Sequence, residues 1–180
     1  MRILIIGGNL FIGRLLLGEL LEQGHELSVL HRGENHPFGP HVQNLQADRN
    51  DPAAVKAAIG GTRFDVVFDN VYDWERGTTA EQVRGCTLAA QPDRLHRYVF
   101  MSSVAAYYEG LEHEESDKLA PADCPDVYAR NKASSERALF KLHQQRGLPL
   151  VTFRPPYVYG PGNPFYREAF FWDRLLLGRP

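Results

Sequence analysis

The chain has 180 residues, 43% of them hydrophobic and 23% charged, with a formal net charge of −2. That size and balance suit one globular domain with a sizeable core, and the charge gives no electrostatic reason to expect nucleic acid as a partner. No apolar run reaches membrane-spanning length and no signal-peptide pattern opens the chain, so a cytoplasmic protein without a membrane partner is expected.

Patterns of strand and helix alternate from the first residues. Arg2–Ile6 is an apolar strand that runs into glycines, and Phe11–Gln23 is helix-periodic. His25–His31 reads as a second strand, Arg32–Pro40 as a loop rich in His, Pro and Gly, and Val42–Ala47 as a short third strand. Asp51–Ile59 reads as a helix with Pro52 in its first turn and Gly60–Gly61 at its exit. Phe64–Asn70 is a nearly continuous apolar strand, the pattern of a parallel strand covered on both faces. Glu75–Ala90 reads as helix, His96–Ser103 as buried strand and the acidic Glu109–Pro125 as loop. A long helix over Asp126–Arg146 ends at Gly147, a strand covers Leu150–Arg154, and the closing FYREAFFWDRLLLGRP reads as a helix stopping at Gly178–Pro180. The expected architecture is α/β, a Rossmann-type doubly wound parallel sheet with helices on both faces, with residues 1–180 forming one domain. Cys86 and Cys124 lie far apart without metal-ligand spacing, so they read as buried or half-buried thiols, and no metal site is expected.

The stretch Gly7, Gly8, Asn9, Leu10, Phe11, Ile12, Gly13 joins the first strand to the first helix. Strand, tight turn and helix N-terminus together make a cradle for a diphosphate, because free backbone N–H groups and the helix dipole face the anion. Gly13 has no side chain to hold helix and strand apart. The second strand ends in His31–Arg32 with no carboxylate. An Asp or Glu there would accept from a ribose 2′-hydroxyl, whereas Arg32, helped by His31, attracts a 2′-phosphate. NADP is therefore favoured over NAD, the alternative being that Arg32 is a solvated loop charge. Asp48, with its neighbour Arg49, sits after the third strand, where a carboxylate can accept from the adenine amino group; helix capping is the alternative for Asp48.

Tyr128 and Lys132 stand one helical turn apart in YARNK, on the same face. A phenol is a poor base at neutral pH, and an ammonium group beside it would lower its pKa. Tyr128 could then exchange a proton with a substrate oxygen, and Lys132 could also hydrogen-bond the nicotinamide ribose. Ser102–Ser103 close the fifth strand at the sheet's carboxyl edge, where ligands of open α/β sheets bind.

The pieces GGNLFIG, Asp48, FMSSVAAY, YARNK and FRPPYVYGPG, in this order, resemble the extended short-chain dehydrogenases/reductases, the NAD-dependent epimerase/dehydratase family. The resemblance implies Ser103 as the hydroxyl that positions the substrate oxygen, Tyr128 as acid/base and Lys132 as ribose ligand. It also implies that the Arg154–Pro156 turn, including Pro155, lies near the nicotinamide, and that the small-molecule substrate is a nucleotide-linked sugar. It further implies a homodimer through the predicted helices Glu75–Ala90 and Asp126–Arg146, and a C-terminal substrate lobe that this chain does not supply. Leu10 replaces the middle glycine of the family's usual turn, which would shift or weaken the cofactor's hold. These departures resemble an atypical branch with a GGTxFxG turn, which includes chloroplast stem-loop RNA-binding proteins. Three readings follow: an NAD(P)-dependent oxidoreductase or epimerase, a non-catalytic NAD(P)-binding sensor or scaffold, and a stem-loop RNA binder. The aromatics of Phe165–Trp172 would be core or an exposed seam for the further lobe, and the seam is preferred.

Overall fold

A computed structural model describes residues 1–179. Strands β1 (Arg2–Ile6), β2 (Glu26–His31), β3 (Val42–Gln46), β4 (Val66–Asp69), β5 (Arg97–Met101) and β6 (Leu150–Phe153) form one parallel six-stranded sheet in the order β3-β2-β1-β4-β5-β6. The order reverses between β1 and β4, and that switch point opens a crevice at the strands' carboxyl ends. Ile6 is in register with Leu30 of β2 and Asp69 of β4, so the turn leaving β1 rises between the ends of those two strands.

Alternation along β1 serves both faces. Leu4 and Ile6 join Val55 of α2 (Pro52–Ile59), Val83 of α3 (Ala80–Ala89) and Leu139 of α4 (Val127–Arg146). Ile3 and Ile5 join Leu17 of α1 (Phe11–Glu22) on the opposite face. Each such side chain taken fully out of water contributes roughly 1.5–3 kcal/mol, so this layering is the main support of the fold. Helix starts are chemically marked. The Asp51 carboxylate accepts from the N–H groups of Ala53 and Ala54, Asp126 does the same for Tyr128 and Ala129, and Thr79 and Gln82 form a reciprocal capping box.

Three expectations need correction. The helix read from Glu75 begins at Ala80, because the Asp73 carboxylate captures the N–H groups of Glu75 and Arg76 (3.0 Å each) and holds a turn instead. The last helix, α5, is shorter than its pattern, running Glu168–Leu176 with no buried residue. Coverage of the sheet is uneven. α1 packs on β1 and β2, while Phe68 of β4 is only partly buried and Phe153 of β6 is 54% exposed. Phe165, Tyr166, Phe170, Phe171 and Trp172 are all exposed, which removes the core alternative for that segment. Cys86 and Cys124 are buried free thiols, and no described helix is long and apolar enough to cross a membrane.

Candidate active site

An open cleft of about 1660 Å³ lies along the carboxyl edge of the sheet, from His31 and Asp48 at one end to Ser103, Tyr128 and Lys132 at the other. Its middle is the glycine turn. Gly7 has φ +84°, a left-handed conformation that favours glycine. A Cβ on Gly13 would lie 1.9 Å from the Gly7 carbonyl oxygen, and one on Gly8 2.6 Å from Val29. The turn therefore brings helix and strand into contact that only glycine permits. No side chain caps α1 and no acidic residue sits in its first turn, so the leading N–H groups face the cleft without an internal anion. Leu10 has an extended backbone (φ −126°, ψ 149°) and is 73% exposed at the rim, so its side chain turns outward and does not fill the turn.

At the β2–β3 end, the Asn9 amide nitrogen lies 3.1 Å from His31 Nδ1, which also accepts from the Gly33 N–H. Burial pushes the His31 pKa below its ordinary value, outweighing the Asn44 hydrogen bond, with a smaller contribution from His36. The ring is thus neutral at about pH 7 and adds no charge to Arg32. The Arg32 side chain is 64% exposed and loosely paired with Asp73 at 3.4 Å. Asp48 accepts from the Asn50 N–H and from Arg76 (2.7 Å); burial raises its pKa, but these bonds and the Arg76 and Arg32 charges bring it below the usual carboxylate range. Its charge is already shared with Arg76. The Arg49 side chain points inward instead of along the cleft. It is buried, paired with Asp69, and Asp69 in turn accepts from the Tyr98 hydroxyl at 2.9 Å.

Arg49 Nε and Nη1 and Asp69 Oδ1, turned inward, have no partner within the described residues, and neither do Asn9 Oδ1, His31 Nε2 and both ends of the Asn70 amide, whose residues line the cleft. Such atoms are rare in folded proteins, since each costs about 1–3 kcal/mol when left unpaired. Those along the cleft, together with the glycine cradle and the open helix N-terminus, fit a polar nucleotide. Gly7–Gly13 could hold its diphosphate, and His31, Arg32 and Asp48 could flank its adenosine.

The other end is built on β5 and α4. Ser103 follows β5 and caps a short turn through the Ala105 N–H, while the Val104 N–H donates to the Pro155 carbonyl (3.1 Å) and brings the Arg154–Pro156 turn beside it. Tyr128 and Lys132 share one face of α4, and they line the cleft with Ser103, whose hydroxyl is near enough to the Tyr128 phenol to favour its ionised form. The sequence-predicted trio is therefore brought together. The expected electrostatics are not. Burial raises the Tyr128 pKa above its ordinary value; the Ser103 hydroxyl only partly opposes this, and Tyr72 and Asp126 reinforce it. Lys132 is 4% exposed, its Nζ donates to the Met101 carbonyl, and it lies 5.8 Å from the centre of the Tyr128 ring. Burial brings the Lys132 pKa down to about 8, against the pull of Asp69. An amine committed to a backbone carbonyl and partly desolvated does little to acidify its neighbour's phenol.

Three side chains here were not singled out from sequence. Glu136, one further turn along α4 and fully buried, accepts from the Ser102 hydroxyl and from Nε and Nη2 of Arg154. Its spacing from Lys132 was the available signal. Tyr72 and Trp74, in the stretch that follows β4, pack on Tyr128: Trp74 stacks at 4.8 Å (24° between planes) and Tyr72 meets it edge-on at 4.7 Å.

A family model described as the NAD dependent epimerase/dehydratase family matches residues 3–175. The chain is 32% identical to the chloroplast stem-loop binding protein of 41 kDa b of Arabidopsis thaliana, over 99% of this chain and 48% of that protein. It is 24% identical to a 3-beta-hydroxysteroid dehydrogenase of Mycolicibacterium neoaurum, over 98% of this chain and 52% of the relative. Among solved structures, the UDP-glucose 4-epimerase of Thermus thermophilus in complex with NAD superposes with a TM-score of 0.78 at 27% identity, covering 100% of this chain and 64% of that one. The chain thus spans about half the length of the curated relatives it matches. With a family match across nearly its whole length and a six-stranded parallel sheet of the corresponding order, the chain belongs to the NAD dependent epimerase/dehydratase family.

Proposed function

We propose that this domain is the cofactor-binding and proton-transfer part of an NAD(P)-dependent oxidoreductase or epimerase acting on a hydroxyl or carbonyl of a nucleotide-linked sugar or similar molecule. The observation that carries this reading is the convergence of Ser103, Tyr128 and Lys132 on the same cleft that the glycine turn opens. When bound, the nicotinamide supplies or accepts the hydride. The Ser103 hydroxyl orients the substrate oxygen, and the Tyr128 phenol gives it a proton or takes one. With its pKa raised, Tyr128 is protonated at neutral pH and is ready to donate first. Lys132, drawn to the Met101 carbonyl, keeps its charge near the phenol ring and can turn toward a ribose hydroxyl.

NADP is the favoured cofactor, supported by the exposed Arg32 guanidinium and the lack of a carboxylate at the end of β2. A nucleotide-sugar substrate draws support from the epimerase likeness. Turnover of candidate sugars by the full-length protein should be abolished in Tyr128→Phe while NADPH binding persists; unchanged turnover would remove Tyr128 from the mechanism. A second reading, RNA stem-loop binding, is favoured by the Arabidopsis relative's name alone and opposed by the net charge of −2. Salt-sensitive retention of a structured RNA in a gel shift would support it, and absence of a shift would dispose of it.

A further inference from the structure

The Lys132 side chain is buried, and among the described residues the one oxygen it donates to is the Met101 carbonyl. An ammonium has three N–H donors, so two are left. Rings take the place of further oxygens. Nζ lies 5.1 Å from the centre of the Phe100 ring, 5.4 Å from that of Tyr72 and 5.8 Å from that of Tyr128. A cation this close to a ring face is attracted by the negative potential there, more strongly where water is excluded. Phe100 is a core residue of β5, and Tyr128 is the proposed acid/base. Tyr72 is neither: it is half-buried and comes from the stretch after β4.

The place of Tyr72 is set from three sides. Before it, Val71 rests on the glycine turn, since a Cβ on Gly7 would lie 2.2 Å from Val71 Cγ2. After it, the buried Asp73 donates its N–H to Thr78 Oγ1 (3.0 Å), and its carboxylate accepts from the N–H groups of Glu75 and Arg76. At its tip, the Tyr72 hydroxyl oxygen accepts from Asn131 Nδ2 (3.1 Å), and Asn131 stands next to Lys132 on α4. Gly77 leaves room for that bond, because a Cβ there would lie 3.1 Å from Asn131 Nδ2. From this position the same ring meets Tyr128 edge-on at 4.7 Å. One side chain thus packs on both members of the Tyr128–Lys132 pair and is tied to the helix that carries them.

We propose that Tyr72 is a positioning residue for this pair: its ring holds the Lys132 ammonium beside Tyr128, ready to donate to a ribose hydroxyl of the cofactor. The proposal rests on the oxidoreductase reading above. Tyr72 touches no reacting atom and acts through Lys132. Burial brings the amine's pKa down to about 8, so a modest attraction decides how much of it stays charged near neutral pH. Asp69, Arg49 and Glu136 are the charged groups that act on the amine, and Tyr72 and Tyr128 are the phenols packed on it. Only Tyr72 is changed in the test.

Lys132 would be titrated in the full-length protein by lysine ε-carbon NMR, its signal assigned with Lys132→Met. In Tyr72→Leu, which keeps an apolar side chain without a ring, the titration should move down by about half a unit to one and a half units, the span of cation–π contacts. In Tyr72→Phe, which keeps the ring, it should stay near the natural value. NADPH binding, read by isothermal titration, carries the same signature. A downward move of about one unit leaves the amine mostly uncharged at about pH 8 and still charged at about pH 6, so Tyr72→Leu should bind about fivefold more weakly at the higher pH and equally at the lower. Tyr72→Met repeats the comparison where leucine disturbs the fold. A titration unmoved or raised in the ringless variants, or moved as far in Tyr72→Phe, would overturn the proposal. So would a binding loss equal at both pH values, the mark of plain structural damage. A natural protein that binds no NADPH would overturn the oxidoreductase reading and this role with it, whatever the titration does.

Discussion

Replacing Lys132 with Met should stabilise the fold at neutral pH, by an amount that shrinks as the pH rises. The side chain is 4% exposed, and burial takes its pKa from 10.5 to about 8. That gap corresponds to a cost of roughly 3 kcal/mol for holding the ammonium in the folded protein rather than the unfolded chain. Below the folded-state value of about 8 both states are protonated and the whole cost is present. Between about 8 and 10.5 the unfolded chain keeps the proton and the folded protein has lost it, so stability rises with pH through that window. Going from about pH 7 to about pH 9 should return roughly 1 kcal/mol to the natural protein and nothing to Lys132→Met. Methionine's own packing effect is the same at both pH values, and the titration of every other group, the buried Cys86 thiol included, occurs in both proteins, so neither contributes to the change in the gap. Urea denaturation of both at the two pH values measures the difference directly. A stability gap that stays constant or widens with pH would show that Lys132 is not held against its preferred charge.

Three other substitutions test separate parts of the structure. Gly13→Ala forces a Cβ to 1.9 Å from the Gly7 carbonyl oxygen; as this neighbour is backbone, a loss of at least about 3 kcal/mol is expected, and a urea midpoint near that of the natural protein would refute the close approach. Glu136→Ala strands the Arg154 guanidinium and should cost about 3–5 kcal/mol in thermal or urea unfolding, with Glu136→Gln losing less because it keeps part of the hydrogen bonding. Arg32→Asp should weaken NADPH binding by about tenfold or more while sparing NADH, read by isothermal titration; equal affinities in the natural protein would remove Arg32 from cofactor selection.

The sheet was legible in the sequence because β1, β2, β4 and β5 are short apolar runs punctuated by glycines, and their order follows from strand–helix alternation. Tyr128 and Lys132 were legible for the same local reason, a fixed spacing on one helix. What escaped was set by contacts between distant segments. Glu75 and Arg76 read as the start of the following helix, but the carboxylate of Asp73 takes their N–H groups. Arg49 and Asp48 look like a surface pair, yet Asp69 draws one inward and Arg76 holds the other. Lys132 sits where expected, but its proton affinity depends on the Met101 carbonyl and on burial that its own helix does not reveal.

The turn around Asp73 makes neighbouring residues answer to opposite ends of the cleft. Its carboxylate grips Arg76 and pairs loosely with Arg32, while the aromatic residues on either side of it press on Tyr128. A substitution at Asp73 is therefore not a local probe: altered cofactor discrimination and an altered pH profile would emerge together from a single change. Mutational maps of this region will report such joint phenotypes, and separating them requires altering Arg32 and Trp74 one at a time.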